Sequence, residues 1–163
     1  MRLSVLSFCF FLILTGCGSD DPPSVQNTIT IDGSPFTIIA PTLIGVSIGG
    51  QGHAAISFTG ITGSVSKTLS IDFEYSPSVT LSGSYSFPQT GTDRLLDNWL
   101  TNYAEMSTSG AGSLYTTNLD FGKITIQDNG GNNYTVTIDL TMLDGKVFKG
   151  TYRGAFSVLF NNS

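Results

Sequence analysis

The sequence predicts an all-β protein, an antiparallel β-sandwich or flattened barrel of about nine or ten strands with at most a short helical turn near 93–99. Three observations carry this. From Thr28 onward, apolar and polar residues alternate with period two almost continuously, the spacing at which successive side chains leave opposite faces of a strand. Turn chemistry such as Asp32-Gly33 and Asp144-Gly145 separates the runs. Only 12% of the residues are charged, while Gly, Ser, Thr and Asn are abundant, so outward strand positions carry hydroxyls in place of charges. The absence of helix–strand alternation excludes parallel α/β folds.

In chain order, Thr28 to Ile31 runs into Asp32-Gly33, and Phe36 to Ile39 returns as a hairpin. Leu43 to Ile48 is apolar at Ile44, Val46 and Ile48, and His53 to Phe58 at Ala54, Ile56 and Phe58. Val65, Leu69, Ile71, Phe73 and Tyr75 share one strand face, with Ser66, Thr68, Ser70, Asp72 and Glu74 on the other. After Ser76-Pro77-Ser78, the alternation resumes at Val79, Leu81, Tyr85 and Phe87. Leu95, Trp99, Tyr103 and Met106 stand at helical spacing. The stretch is short and rich in Asn and Thr, so a helical turn near Asp93 to Trp99, capped by Thr92 or Asp93, is expected before a strand at Asn102 to Met106. Gly122 to Ile126 and Tyr134 to Met142 flank the Asp128 to Asn133 turn. Phe148, Gly150, Tyr152, Gly154, Phe156, Val158 and Phe160 line one face of a long last strand, bent or closely approached at its glycines. Closing such strands into a sandwich or barrel removes exposed edges.

The start of the chain predicts a location. Arg2 precedes an apolar run from Leu3 to Leu14, the length of a signal-peptide core and too short to span a bilayer. Small residues Thr15 and Gly16 follow, then Cys17. Leu14-Thr15-Gly16-Cys17 resembles the bacterial lipoprotein signal at each of its positions. The resemblance implies cleavage before Cys17 and acylation of its thiol with fatty chains such as palmitate; two or more chains anchor stably where one does not. Gly18 after the cysteine implies the outer membrane, and Ser19-Asp20-Asp21 resembles the acidic tract that sends many Bacteroidetes lipoproteins to the cell surface. The expected organisation is a signal peptide over 1–16, a lipidated acidic and proline-containing tether over 17–27, and one β-domain over 28–163.

Of the 163 residues, removal of 16 leaves 147, enough for one domain with a substantial core. Loss of Arg2 takes the net charge from −5 to −6. The remaining Lys and Arg are scattered, which argues against a nucleic-acid partner. Cys9 leaves with the signal peptide and Cys17 is consumed by lipid, so no disulfide is expected.

The last third carries a further resemblance. Asn102-Tyr103-Ala104, Tyr115-Thr116-Thr117-Asn118, Gly122-Lys123-Ile124-Thr125-Ile126 and Gly150-Thr151-Tyr152-Arg153-Gly154-Ala155-Phe156 form a layout similar to that of small, uncharacterised Bacteroidetes outer-membrane and surface lipoproteins. It implies location and fold and brings no catalytic residue.

Candidate chemistry is sparse. Gly45-Val46-Ser47-Ile48-Gly49 matches the G-x-S-x-G elbow, yet a strand instead of a helix follows and the only histidine, His53, is six positions away. His53 has no second histidine, no cysteine partner and no nearby acid in sequence, so no metal site is expected and a surface position is. Asp128 to Asn133 offers oxygens but a single aspartate, which favours turn chemistry over calcium. Trp99, Tyr103 and Tyr115 lie in or beside the irregular region, where aromatics stack on sugar rings or cap the core.

The expectation is therefore a non-enzymatic lipoprotein, anchored in the membrane through lipid on Cys17, with no cofactor and with a glycan or protein ligand. The alternatives are an envelope structural or assembly partner, which an exposed apolar patch would favour, and a carrier of a small apolar ligand, which needs a cavity between the sheets.

Overall fold

The computed structural model describes residues 24–48, 51–110 and 112–162. The expected signal peptide, Cys17, the acidic tract at Ser19-Asp20-Asp21 and Gly49, the last residue of the G-x-S-x-G match, lie outside the described residues. Among the described residues there is no helix, and the protein is all-β. Its strands are β1 (Gln26–Asn27), β2 (Thr30–Ile31), β3 (Ser34–Pro35), β4 (Ala40–Ile48), β5 (Gln51–Thr62), β6 (Val65–Tyr75), β7 (Gly83–Phe87), β8 (Arg94–Leu95), β9 (Asn102–Ser107), β10 (Ser113–Asp128), β11 (Asn133–Met142), β12 (Val147–Ala155) and β13 (Ser157–Asn162). Four of these are only two residues long, which leaves nine of the length a sequence pattern can register.

The strands build two layers that share β10. Its first part pairs with β9, continuing a layer that runs β13-β4-β5-β6-β9. Its second part lies between β7 and β11, and the layer continues through β12 to β1, β2 and β3. The crossing point is marked by a register shift between Leu119 and Phe121. Gly122 follows at once, and a Cβ there would come 2.7 Å from Leu140 Cα. A bulge and a missing side chain let one strand turn from one layer into the other. The sheet does not close on itself.

The core lies between the layers. From the first come Phe58, Leu69, Ile71, Phe73 and Tyr103; from the second, Tyr85, Ile138, Leu140, Phe148 and Tyr152, all buried. The rings meet across the gap: Phe58 with Tyr152 at 5.5 Å, Phe73 with Tyr85 at 4.6 Å and Tyr103 with Phe148 at 5.0 Å between centroids. Each fully buried side chain of this size contributes ~1.5–3 kcal/mol of transfer free energy, and tilted rings add ~0.5–1.5 kcal/mol per pair.

The structure bears out the alternation in β5, β6 and β11, whose inward residues are those expected. Asp32-Gly33 is the two-residue hairpin turn, with both residues at positive φ (50° and 78°) as a type I′ turn requires.

Five expectations are corrected. The hairpin returns only through Ser34–Pro35, and Phe36 leaves the ladder to bury its ring, its N–H donating to Ile29 O (2.9 Å). In β4 the inward residues are Leu43, Gly45 and Ser47, while Ile44 and Val46 are exposed. Gly45 leaves room for the Phe160 ring, which a Cβ would strike, so packing chooses the face that hydropathy alone would not. After Ser76-Pro77-Ser78 the strand begins only at Gly83; Val79 is exposed on the way to it. Arg94–Leu95 is not helical: it pairs beside β7, and the turn forms later, over 97–101, with Asp97 as its cap. The long last strand is two strands. It breaks at Phe156, and β13 moves to the other layer, where it pairs with β4 in parallel. The β7–β8 pair is also parallel; the other pairings are antiparallel.

Candidate functional site

Trp99, Tyr103 and Tyr115 are not brought into one groove. Tyr103, on β9, is fully buried against Phe148, and its hydroxyl donates to Glu105 Oε1 at 2.7 Å. Burial, followed by that carboxylate, pushes the phenol well above its ordinary range. Tyr115, on β10, is half-buried, with its hydroxyl on Asp144 Oδ2 and Lys146 Nζ 5.3 Å from its ring centre. Both rings belong to the packing of that end of the sandwich.

Trp99 is different. It is 80% exposed on a turn whose backbone is held at every side. Asp97 Oδ1 accepts the N–H groups of Trp99 and Leu100, each at 2.8 Å. Thr101 N–H donates to Asp97 O (2.9 Å), and Asn118 Nδ2 donates to Trp99 O (2.6 Å). The local reason is sequence chemistry: aspartate at the first position of a turn satisfies the N–H groups that the turn leaves free. The result is a large indole held in water by a rigid backbone.

Beneath this turn lies a cluster that the sequence did not announce. His53, on β5, stands opposite Glu74 on β6 and diagonal to Asp72, which pairs with Ala55. Its Nδ1 is 2.6 Å from Asp72 Oδ1. The 97–101 turn folds over Asp72: Asp97 N–H donates to Asp72 O (3.0 Å), and Asp72 N–H donates to the hydroxyl of the buried Thr101 (2.9 Å). One donor atom each from His53, Asp72 and Asp97 all lie within 4.8 Å of one another. Asp72 is only 9% exposed. Burial pushes its carboxyl above the ordinary range, Asp97's charge adds to this, and His53 opposes it. His53 also lines a cleft of about 520 Å³ together with Glu74, Tyr75 and Arg94.

Comparison with protein-family models, curated proteins and solved structures found no match.

The G-x-S-x-G match is taken apart by the register. Ser47 pairs with Gly52 and Val46 with His53, so Ser47 and His53 stand on opposite faces of the sheet. Ser47 is 2% exposed and points inward, whereas the His53 side chain is 48% exposed on the outside. At the other candidate, Asp128 Oδ1 accepts Gly130 N–H (2.8 Å), and Asn133 Nδ2 donates to the carbonyls of Gly130 and Gly131. These oxygens serve the turn itself.

The signal for the His53 cluster was present in part. Asp72 and Glu74 were legible as outward residues of their strand. Pairing β5 with β6 through the turn at Gly63 would have set His53 beside them.

Proposed function

We propose that the protein is a lipid-anchored, non-enzymatic binding module of the outer membrane, exposed at the cell surface, whose β-sandwich presents Trp99 to a glycan. The anchor is Cys17, by resemblance to the bacterial lipoprotein signal and to small Bacteroidetes surface lipoproteins. The observation that carries the ligand reading is Trp99 itself, 80% exposed on a turn pinned by Asp97 and Asn118. An exposed aromatic face carried on a hydrogen-bonded turn stacks on the apolar face of a sugar ring without ordering a flexible loop. Nearby Asn102 and Asn118 each spend an amide N–H on the turn (Leu100 O, 2.8 Å; Trp99 O, 2.6 Å), and their side-chain oxygens are acceptors of the kind that bond sugar hydroxyls.

Trp99 is the only tryptophan in the chain, so its emission reports binding directly. Titration of the purified protein with surface polysaccharides and their oligosaccharides should shift that emission saturably. Trp99→Ala should abolish binding measured by calorimetry and leave the melting temperature unchanged. Equal binding by the variant would reject the reading.

A second reading, an envelope partner lipoprotein, is favoured by a different surface. Ile44 and Leu159 pair across β4 and β13 and are both exposed, with Val46 beside them. Apolar side chains grouped at a sheet edge suit a protein partner. The carrier reading draws no support from the interior, where Phe58, Phe73, Tyr85, Tyr103 and Phe148 fill the space between the layers.

A further inference from the structure

We propose that His53, Asp72 and Asp97 form a binding site for a divalent first-row transition-metal ion, with Zn²⁺ the ion they fit best, and that the ion locks the turn that presents Trp99. The inference does not rest on the glycan reading, because the ion is measured by itself.

Three observations lead to it. The first is geometric. The three donors come from β5, from β6 and from the 97–101 turn, and all lie within 4.8 Å of one another. On a tetrahedral ion with bonds of ~2.0–2.1 Å, donors sit roughly 3.3 Å apart. His53 Nδ1 and Asp72 Oδ1, at 2.6 Å, would open slightly, and the Asp97 carboxylate would close in. The Asp72 and Asp97 backbones are already tied together (Asp97 N–H to Asp72 O, 3.0 Å), so the adjustment falls on the side chains.

The second is electrostatic. The Asp72 side chain is only 13% exposed and lies within 4.8 Å of a second carboxylate, that of Asp97, yet among the described residues no lysine or arginine pairs with either one. Two like charges held together in a half-dry site are costly unless a cation joins them. His53, half-exposed above them, is the side chain that reaches Asp72, Nδ1 to Oδ1 at 2.6 Å.

The third is the donor set. An imidazole nitrogen with two carboxylates suits zinc and its neighbours. Calcium, which takes six to eight oxygens, and magnesium, which keeps an octahedral oxygen shell, are poorly served. Three protein donors leave a fourth position for water or an outside ligand. Asp97 already uses Oδ1 to cap Trp99 and Leu100. An ion on the same carboxylate would fasten the cap to β5 and β6.

The test is calorimetric titration of the purified, tag-free mature protein with ZnCl₂, with Trp99 emission followed in parallel. One ion per chain is expected, with the emission change reaching its midpoint at the same zinc concentration. His53→Gln removes the only imidazole in the chain. Asp97→Asn keeps an oxygen to cap the turn while removing the charge. Each should weaken zinc binding by roughly a hundredfold or more, beyond what loss of an outer partner of a ligand costs. Asp72→Asn provides a third variant, and melts in EDTA identify any variant that has failed to fold. Zinc binding of undiminished strength in a folded His53→Gln or Asp97→Asn protein would overturn the proposal. So would the absence of saturable binding at millimolar zinc, or displacement of zinc by equimolar calcium. Zinc binding without any change in Trp99 emission would overturn the link to the turn.

Discussion

Tyr103 and Phe148 place their ring centroids 5.0 Å apart, one ring from each layer of the sandwich. Both are fully buried, and the contact joins β9 to β12, which the sheet order separates by β10 and β11. Phe148→Ala should therefore cost ~3–5 kcal/mol, and Phe156→Ala, whose ring packs edge-on against Tyr134 and Tyr152, a similar amount. Thr151→Ala removes only a hydroxyl pair with Thr137 on the outer face (3.0 Å) and should cost far less. Denaturant unfolding of the three variants measures this; Thr151→Ala as the worst of them would invert the assigned face of β12.

The two glycines of β12 should behave differently. A side chain at Gly150, where φ is +136°, would run into the Thr28 carbonyl and come 2.8 Å from Ile29 Cα. That obstacle is backbone, so Gly150→Ala should be strongly destabilising. At Gly154 the nearest atoms an added Cβ meets belong to the Tyr152 ring, 3.0 Å away at its hydroxyl, a side chain and not backbone. Gly154→Ala should be the milder change in thermal melts, and a reversal of the order would contradict the close approach of the segment between β1 and β2.

The anchor is tested in cells. Cys17→Ser should release the protein from membranes or leave its precursor uncut, read by fractionation and intact mass. With Asp20 and Asp21 replaced by alanine, protease added to whole cells should no longer reach the domain. Unchanged fractionation and unchanged mass for Cys17→Ser would reject lipidation.

Acid should weaken the fold through two carboxylates. The Lys123 ammonium, hydrogen-bonded to Asp93 Oδ1 (3.3 Å) and 3.0 Å from Oδ2, holds the Asp93 carboxyl below its ordinary range. Burial pushes Asp144 up, but the Tyr115 hydroxyl and the Lys146 N–H outweigh it and hold it low. Groups depressed in the folded state stabilise it above their unfolded pKa, near 4, and lose that contribution as pH falls through the folded value. Asp72 is shifted the opposite way, so its protonation does not add to the loss. Melting temperature should fall as pH drops below about 4, and Asp93→Asn with Asp144→Asn should flatten the decline. An undiminished decline in the double variant would exclude these two groups as its source.

Period-two alternation made the interior of β11 legible residue by residue, because Tyr134 through Met142 pack one face against one layer for their whole length. The same signal could not reveal the break at Phe156. Apolar residues continue at every second position through Phe160, and alternation reports a buried face without saying which layer it faces. Tyr103 and Trp99 were indistinguishable for a related reason. Each is an aromatic beside polar neighbours, and only the packing of β9 under Phe148 separates the buried ring from the exposed one. The His53 cluster depended on strand register and on a turn crossing from outside the pair, neither of which is written in the spacing of any single segment.

The parallel pairing of β13 with β4 joins Ser157 to Thr42 and Asn162 to Ser47, across roughly a hundred residues of intervening chain. The first strands wait likewise, since Gln26 pairs with Arg153 and Ile31 with Phe148. Such closures are slow, because the entropy of a long loop is lost before the contacts form. During synthesis β4 is a bare edge, with Ile44 and Val46 in water, until the six-residue β13 arrives. The last of the described strands to be made is thus the one that shields an early strand from pairing with other chains. Chains cut short after Ala155 should collect as aggregates even though most of the core residues are already in place.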